Sequence, residues 1–408
     1  MSESMLDEIT SLTKRVQSIR PSLDASTRAK ASEAAQRLVE ALSSPVESIL
    51  QNVALDSALF MAIRMGVQLG AFQAIRDSQD EGATTKQVAE KSGASPVVVD
   101  QILRLLASRG YILEAGVQLY KSSARTFILA DPVMEAMARS CFDVGAHCIM
   151  YGPEYFRRNG NQLPSTVLDT PFQLAKKTEL SYFNWMKENP SSAKDFQVWM
   201  TAKQQSTPNW VDWFDVQGAV LDGLSEDPSN TGKDILFVDV GGGEGHYLQA
   251  FNRKFPDKPG RRILQDLPHV ISSIPKVLDS EGPAVELLAH DFFQPQPVEG
   301  ARVYYLHWIL HDWSDDKARE ILKNIIAAME PGYSRLVIND KIIPDRNCGY
   351  ASACLSIMMM VQVGSVERTE QQWRELLNSV GLTDLSFHQP PADGAEGIIV
   401  ATKRGLGR

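Results

Sequence analysis

The stretch Ile235–Tyr247, ILFVDVGGGEGHY, decides the fold. Ile235, Leu236, Phe237, Val238 and Val240 form a short apolar run broken only by Asp239, and Gly241, Gly242, Gly243 and Gly245 then surround Glu244. An apolar run ending in glycines predicts a buried strand that turns tightly into a helix. Glycine allows positive φ at such a turn and lets a ligand approach the backbone without meeting a Cβ. At the carboxyl edge of a parallel sheet, this kind of turn is where doubly wound folds hold nucleotides. The plain alternative is a tight βα turn with no ligand, which three consecutive glycines disfavour.

Downstream, strand and helix alternate. RRILQDL is a second strand ending at Asp266 and Leu267, and PHVISSIPKVL reads as the helix after it. VELLAHDFF carries a third strand out to Asp291 and Phe292. ARVYYLHWIL is a fourth strand running through His307 into HDW, and SRLVINDKIIP is a fifth. Between the last two, SDDKAREILKNIIAAMEPG has an amphipathic helical pattern. A helix over 369–381 precedes a closing hairpin, LTDLSFHQ with EGIIVATKR. This βαβα order implies an α/β domain with a parallel sheet between helices, here over residues 223–408, with an antiparallel pair at its end.

Upstream, residues 131–222 are helical and rich in aromatic side chains, among them Tyr182, Phe183, Trp185, Phe196, Trp199 and Trp210, with Met186 and Met200 between them. Most of these belong in a core, and some could wall an apolar pocket. The stretch 222–233, with Gly, Ser, Pro and Asn, reads as the linker into the sheet. Residues 1–130 begin with a polar arm, in which SLTKRVQSIR and STRAKASEAAQRLVEALSS read as helices, the second with a Ser/Thr cap. ALDSALFMAIRMGVQLGAF, TTKQVAEKSG and SPVVVDQILRLLASRG then predict three helices, and YILEAGVQLYKSS a two-stranded hairpin. Together these make a winged-helix pattern. Its second helix pair would present a recognition helix over 97–109, yet that segment offers only Arg104 and Arg109 as bases and is otherwise crowded with Val, Ile and Leu.

With 41 Lys+Arg against 50 Asp+Glu the chain carries a formal charge of −9. DNA affinity rests on phosphate contacts, so no nucleic-acid partner is expected and the winged helix reads as a packing or dimerisation scaffold. The opening MSESMLDEIT is polar and acidic, unlike a signal or transit peptide. No run of about 18 apolar residues is evident, so no membrane span is predicted and the expected location is the cytoplasm. Cys141, Cys148, Cys348 and Cys354 show no metal-ligand spacing, so reduced thiols and no metal are expected.

The glycine spacing bears on the ligand. A dinucleotide fingerprint is G-x-G-x-x-G, whereas counting from Gly241 puts His246 at the sixth position and gives G-x-G-x-G. Asp239, two residues ahead, would repel a pyrophosphate and suits a cationic group. An acid at the end of the next strand, Asp266, can bind ribose hydroxyls. At the third strand end, Asp291 can accept an exocyclic adenine amine, and Phe292 can lie on the ring.

VDVGGGEGHY, QDLPHVI, HDFF, LHWILHDWSDDKAREIL and GSVERTEQQW, in this order, resemble the S-adenosylmethionine-dependent small-molecule O-methyltransferases, which include plant caffeate and flavonoid enzymes and fungal secondary-metabolite relatives. The likeness runs from about Ala54 to the end of the chain. It implies a winged-helix dimerisation domain before a doubly wound, Rossmann-like methyltransferase sheet, a homodimer, and S-adenosylmethionine as cofactor. Carried over residue by residue, Asp239, Gly241, Gly243 and Gly245 would take the methionine part, Asp266 and Leu267 the ribose, and Asp291 and Phe292 the adenine. His307 stands near the cofactor where the family often has Lys or Arg. His311 matches the catalytic base, Glu367 one carboxylate partner, and Asp340 falls where plant relatives usually have Glu. Phe196, Met200, Met358 and Met359 match acceptor-wall positions.

The chemistry agrees with that assignment. A phenol or enol is a poor nucleophile until it loses its proton, so methyl transfer to it needs a base. A histidine with an ordinary pKa of ~6.5 suits the task, and a carboxylate on its far nitrogen fixes its tautomer. The expected activity is therefore O-methylation of an aromatic or polyketide-like metabolite. Two rivals remain at this level. One is a same-fold enzyme that keeps the cofactor and steers a dehydration or pericyclic step, for which Lys341 and His147 could serve. The other is a winged-helix DNA regulator.

Overall fold

The computed structural model describes residues 2–206, 208–224, 234–274, 282–390 and 396–403. They fall into two compact units, residues 1–135 and a second unit from Ala136 onward that holds both the aromatic-rich helices and the sheet.

In the first unit, helices span Ser2–Ile19 and Ala25–Leu42. The second is capped by Asp24, whose side chain accepts from the Thr27 N–H at 2.9 Å, and not by the Ser/Thr pair expected from the sequence. A carboxylate placed just ahead of the first turn satisfies the same orphan donor. The helix read over ALDSALFMAIRMGVQLGAF as ending at a glycine spans Asp56–Gln68 and stops before Gly70, which sits at φ 61 and turns the chain into a further short helix, Ala71–Asp77. Thr84 forms a capping box with Gln87 at the start of Thr85–Ser92, and Pro96–Ser108 follows. Strands β1 (Ala83–Thr84), β2 (Ile112–Gly116) and β3 (Leu119–Ser122) form a small antiparallel sheet in the order β1-β3-β2. Val99, Ile102, Leu103 and Leu106 of Pro96–Ser108 are buried, and Arg104 pairs with Asp100 of its own helix at 2.8 Å.

Residues Pro45–Gln68 form a helical stretch, π-helical over Gln51–Leu55, whose most apolar window has a mean hydropathy of 1.3 with 6% of that window buried. By length and composition it passes the test for a membrane-crossing helix, as helices of soluble proteins also do; polar residues such as Gln51, Asn52 and Asp56 interrupt it, so it is not the unbroken apolar run whose absence the sequence showed. Val46, Ile49, Leu50, Val53 and Leu55 on this stretch are exposed.

The second unit is built on a seven-stranded sheet: β4 (Ile235–Val240), β5 (Arg261–Asp266), β6 (Val285–Ala289), β7 (Val303–His307), β8 (Arg335–Asp340), β9 (Leu382–His388) and β10 (Gly397–Lys403). The order is β6-β5-β4-β7-β8-β10-β9, parallel through β8, with β10 antiparallel to both β8 and β9. The five parallel strands and the closing hairpin are those expected, although β8 ends at Asp340 rather than continuing through IIP. Of the predicted linker over 222–233, residues 225–233 lie outside the described residues, as do 275–278 of the helix predicted after β5.

Strand order reverses at β4, whose neighbours β5 and β7 leave it in opposite directions, so a crevice opens beyond its carboxyl end. Apolar residues point from both faces of β4. Val238 and Val240 join one core with Leu306, Ile338 and Trp373, while Leu236 and Phe237 join the other with Trp210, Phe251 and Tyr305. Trp210 stacks on Phe251 and Tyr305 with ring centroids 6.2 and 4.9 Å apart. That aromatic cluster anchors the helix Trp210–Trp213 to the sheet, a contact type that adds to burial by roughly 0.5–1.5 kcal/mol per pair.

Candidate active site

Three strand ends meet at the carboxyl edge of the sheet. β4 delivers Asp239 and the glycine turn. Gly241 and Gly242 both donate to the Gln265 carbonyl, at 2.8 and 3.0 Å, and Gly243 N–H donates to Asp266 Oδ2 at 2.9 Å. Gly241 has φ 72. Gly242 is needed for a different reason: a Cβ there would lie 2.4 Å from Leu264 Cδ1 and 2.5 Å from Asp239 Oδ2. The sequence singled out Gly241, Gly243 and Gly245; the tightest position is Gly242, and nothing in the spacing of glycines distinguishes close approach from positive φ.

Asp239 is buried, and its Oδ2 has no hydrogen-bond partner among the described residues. Burial first, and then the charge of Asp266, pushes its carboxyl up to about 8. A buried carboxylate oxygen without a partner is costly, and an ammonium brought beside it would remove that cost and restore the ionised form. An orphaned acid beside a bare glycine cradle therefore fits the amino-acid end of S-adenosylmethionine.

Asp266 Oδ1 accepts from the Leu267 N–H at 2.7 Å, and Asp291 Oδ1 from the Phe293 N–H at 3.0 Å. Phe292 packs with Phe293 and Trp313, and a Cβ on Gly241 would lie 3.5 Å from its ring. Asp266, Leu267, Asp291 and Phe292 thus lie along the same sheet edge, but they and Gly245 are not on the wall of the main cavity.

That cavity has a volume of about 570 Å³. Asp239, Gly241, Gly242 and Gly243 line one side. His307, Trp308, His311 and Lys341 also line the cavity, as do Phe196, Met200, Met358 and Met359, so the four expected acceptor-wall residues meet there. Tyr182, Phe183 and Trp199 join them. His147 does not: its Nδ1 lies 3.5 Å from Lys176 Nζ, away from the cavity wall.

β7 ends in His307, whose ring lies between Tyr247 and Trp308 at centroid distances of 3.9 and 4.6 Å. Burial above all, followed by the nearby His311 and Lys203, keeps its pKa well below the usual value, so it is neutral, and its Nε2 has no partner among the described residues. Trp308 adopts φ 51, a left-handed conformation rare for a bulky residue. Its indole lies on the cavity wall beneath Lys203, whose Nζ is 4.4 Å from the ring centroid. Sequence reasoning passed over Trp308, because backbone strain leaves no compositional trace.

A 3₁₀ turn, Leu310–Asp312, follows and carries His311. Its Nδ1 lies 3.1 Å from Glu367 Oε1, a hydrogen bond, and 3.8 Å from Asp340 Oδ1, beyond hydrogen-bond reach; Nε2 is 3.5 Å from Asp312 Oδ1. Asp340 and Glu367 are buried, and Asp340 Oδ2 and Glu367 Oε2 have no partners among the described residues. Burial opposes charge on His311, but Asp340, Asp312 and Glu367 together override it and raise the imidazole to about 10. Burial also raises Asp312, to about 6, and moves Asp340 upward, with His311 pulling both back.

The cluster is held from behind. Arg368 donates to the carbonyls of Leu310 and Trp313, each at 2.7 Å, and to Asp315 Oδ1 at 2.9 Å, strapping the turn that bears His311. A bridge between Ile343 and Thr369 brings Glu367 alongside the end of β8. Trp373 Nε1 donates to the Lys341 carbonyl at 2.9 Å.

Residues 233–383 match the family model of the O-methyltransferase domain, and residues 51–127 that of the O-methyltransferase dimerisation domain. The chain is 32% identical over 406 residues to O-methyltransferase penC of Penicillium thymicola, covering 98% of this chain and 99% of that protein. The chain belongs to the O-methyltransferase family. It is 34% identical over 317 residues to the demethylsterigmatocystin 6-O-methyltransferase of Aspergillus parasiticus, covering 78% of each. Among solved structures, the LepI complex with SAM is similar, with a TM-score of 0.84 and 31% identity, covering 98% of this chain and 100% of that one. The protein is an S-adenosylmethionine-dependent O-methyltransferase.

Proposed function

We propose that this O-methyltransferase acts on a phenolic or enolic hydroxyl of an aromatic, polyketide-like secondary metabolite, with His311 as general base and Glu367 and Asp340 as the carboxylates that set its charge. The observation that carries this reading is the His311 Nδ1–Glu367 Oε1 hydrogen bond between two lining residues of an aromatic- and methionine-lined cavity. With Nδ1–H donated to Glu367, Nε2 is the atom that takes the acceptor's proton. Held near 10, the imidazole is charged at neutral pH, so it acts as a base in the form that has lost its Nε2 proton, and the rate should rise with pH toward that value. Bound at the glycine turn, S-adenosylmethionine would supply an electrophilic methyl group, with S-adenosylhomocysteine as the leaving group. Asp239 and the Gly241–Gly243 backbone would hold its methionine end, and Asp266, Leu267, Asp291 and Phe292 its nucleoside. His307, neutral and buried, would face that site as an uncharged wall.

Methionine adapts to flat ligands and packs well on rings, which supports an aromatic acceptor, as does the likeness to an enzyme named for demethylsterigmatocystin. A homodimer is part of the same proposal: the helical stretch Pro45–Gln68, with its exposed apolar side chains, overlaps from Gln51 onward the residues that match the dimerisation domain, and a second copy would cover it.

The test is incubation of purified protein with methyl-labelled S-adenosylmethionine and a panel of phenols and enolic 1,3-dicarbonyls. Labelled ether and S-adenosylhomocysteine in equal amounts are expected. Turnover of an acceptor to a dehydrated or rearranged product, with the label retained on the cofactor, would instead establish the non-methylating rival.

A further inference from the structure

We infer that Gly145 and Met358 act together to set the size limit of the acceptor end of the cavity, an inference that rests on the proposed acceptor site. Between the helices Pro132–Ser140 and His147–Arg158 the chain is π-helical over Cys141–Ala146. Such a bulge shifts the register of side chains along a helix and is frequent at functional sites. Here its first residue, Cys141, lines the cavity, and near its other end Gly145 faces the helix Tyr350–Gln362.

A Cβ on Gly145 would lie 2.5 Å from Met358 Cε and 3.3 Å from Gln362 Nε2. Both partners line the cavity. The obstructing atom is the far end of a flexible side chain, so an added methyl displaces Met358 rather than the helix. Val144, Cys148 and Val361 are buried in the cluster behind it, which leaves the cavity as the open direction. Gly152 provides the contrast on the same pair of helices: its Cβ would make an ordinary 3.6 Å contact with Val361 Cγ1. The missing side chain at 145 therefore stores the Met358 methyl outside the acceptor space.

The experiment is calorimetric titration of orcinol, a one-ring phenol, and emodin, a three-ring phenol, into protein saturated with S-adenosylhomocysteine. Wild type is expected to bind both. Gly145→Ala should weaken emodin at least tenfold while changing orcinol less than threefold. Gly145→Ala/Met358→Ala should return emodin to within threefold of wild type, and Gly152→Ala should leave both unchanged. Should Gly145→Ala fail to fold, Met358→Phe fills the same space from the other side and should give the same selective loss. Wild-type-like emodin binding by Gly145→Ala, no recovery in the double variant, or no binding of emodin by wild type would overturn the inference. Methyl transfer is followed separately: this binding pattern without labelled product would refute the proposed reaction and leave the size limit standing.

Discussion

The imidazole of His311 donates from Nδ1 to Glu367 Oε1 at 3.1 Å, across 56 positions of sequence. That single contact orients the ring, selects its tautomer and, with Asp340 and Asp312, raises its pKa to about 10. The hydrogen bond is local to the site, but the geometry behind it is not. Glu367 reaches the histidine because Ile343 and Thr369 bridge, and His311 stays in place because Arg368 ties its turn.

Removing a carboxylate should make the base easier to deprotonate. Carboxylates favour the imidazolium, so Glu367→Gln lowers the pKa of His311, by roughly one unit or more for a hydrogen-bonded neighbour. The rising limb of log kcat/KM against pH, which reports the free enzyme's base, should move to lower pH in that variant. An unmoved limb would separate Glu367 from the base.

Stability should fall as the medium becomes alkaline. A histidine whose folded pKa is raised contributes stability that is complete below its unfolded value, ~6.5, and is lost as pH rises through the folded value, about 10. Urea unfolding between pH 6.5 and 10 should show this decline in the wild type and a shallower one in His311→Gln. Equal slopes would refute the assignment.

Gly242→Ala should impair cofactor binding more than any other single methyl added to the turn. The new Cβ meets Leu264 and the Asp239 carboxylate at 2.4 and 2.5 Å. Overpacking of this kind costs roughly 1–3 kcal/mol. Calorimetry with S-adenosylhomocysteine should show at least a tenfold weaker Kd, whereas Kd within twofold of wild type would contradict the cradle.

Arg368→Met should act at a distance from the reaction. It leaves the Leu310 and Trp313 carbonyls without their donor, at a cost of about 2–4 kcal/mol. A lowered Tm with kcat reduced at least tenfold and cofactor Kd nearly unchanged is expected. A variant that loses stability but keeps kcat would show that the strap does not position the base.

The parts of this design that were legible in the sequence are those written locally. An apolar strand running into glycines, a histidine just past the next strand of the core, and alternating helices define the sheet and its edge without tertiary information. The shared cavity of Phe196, Met200, Met358 and Met359 came from likeness to a family, since no spacing connects 196 with 358. What stayed hidden depends on atoms brought together in space or on backbone conformation. Gly242 is set apart only by Leu264 and Asp239, Trp308 only by its φ, and the π turn at Cys141–Ala146 only by its hydrogen bonding. The glycine stop of the helix Asp56–Gln68 was legible, whereas the short helix Ala71–Asp77 beyond Gly70 was not.

The most direct test of His311 as the base is single-turnover methyl transfer by His311→Ala, with S-adenosylmethionine and acceptor both saturating. The rate is predicted to fall by roughly 10² or more, with the Kd for S-adenosylhomocysteine within about threefold of wild type. A rate within threefold of wild type would contradict the account and place the base elsewhere.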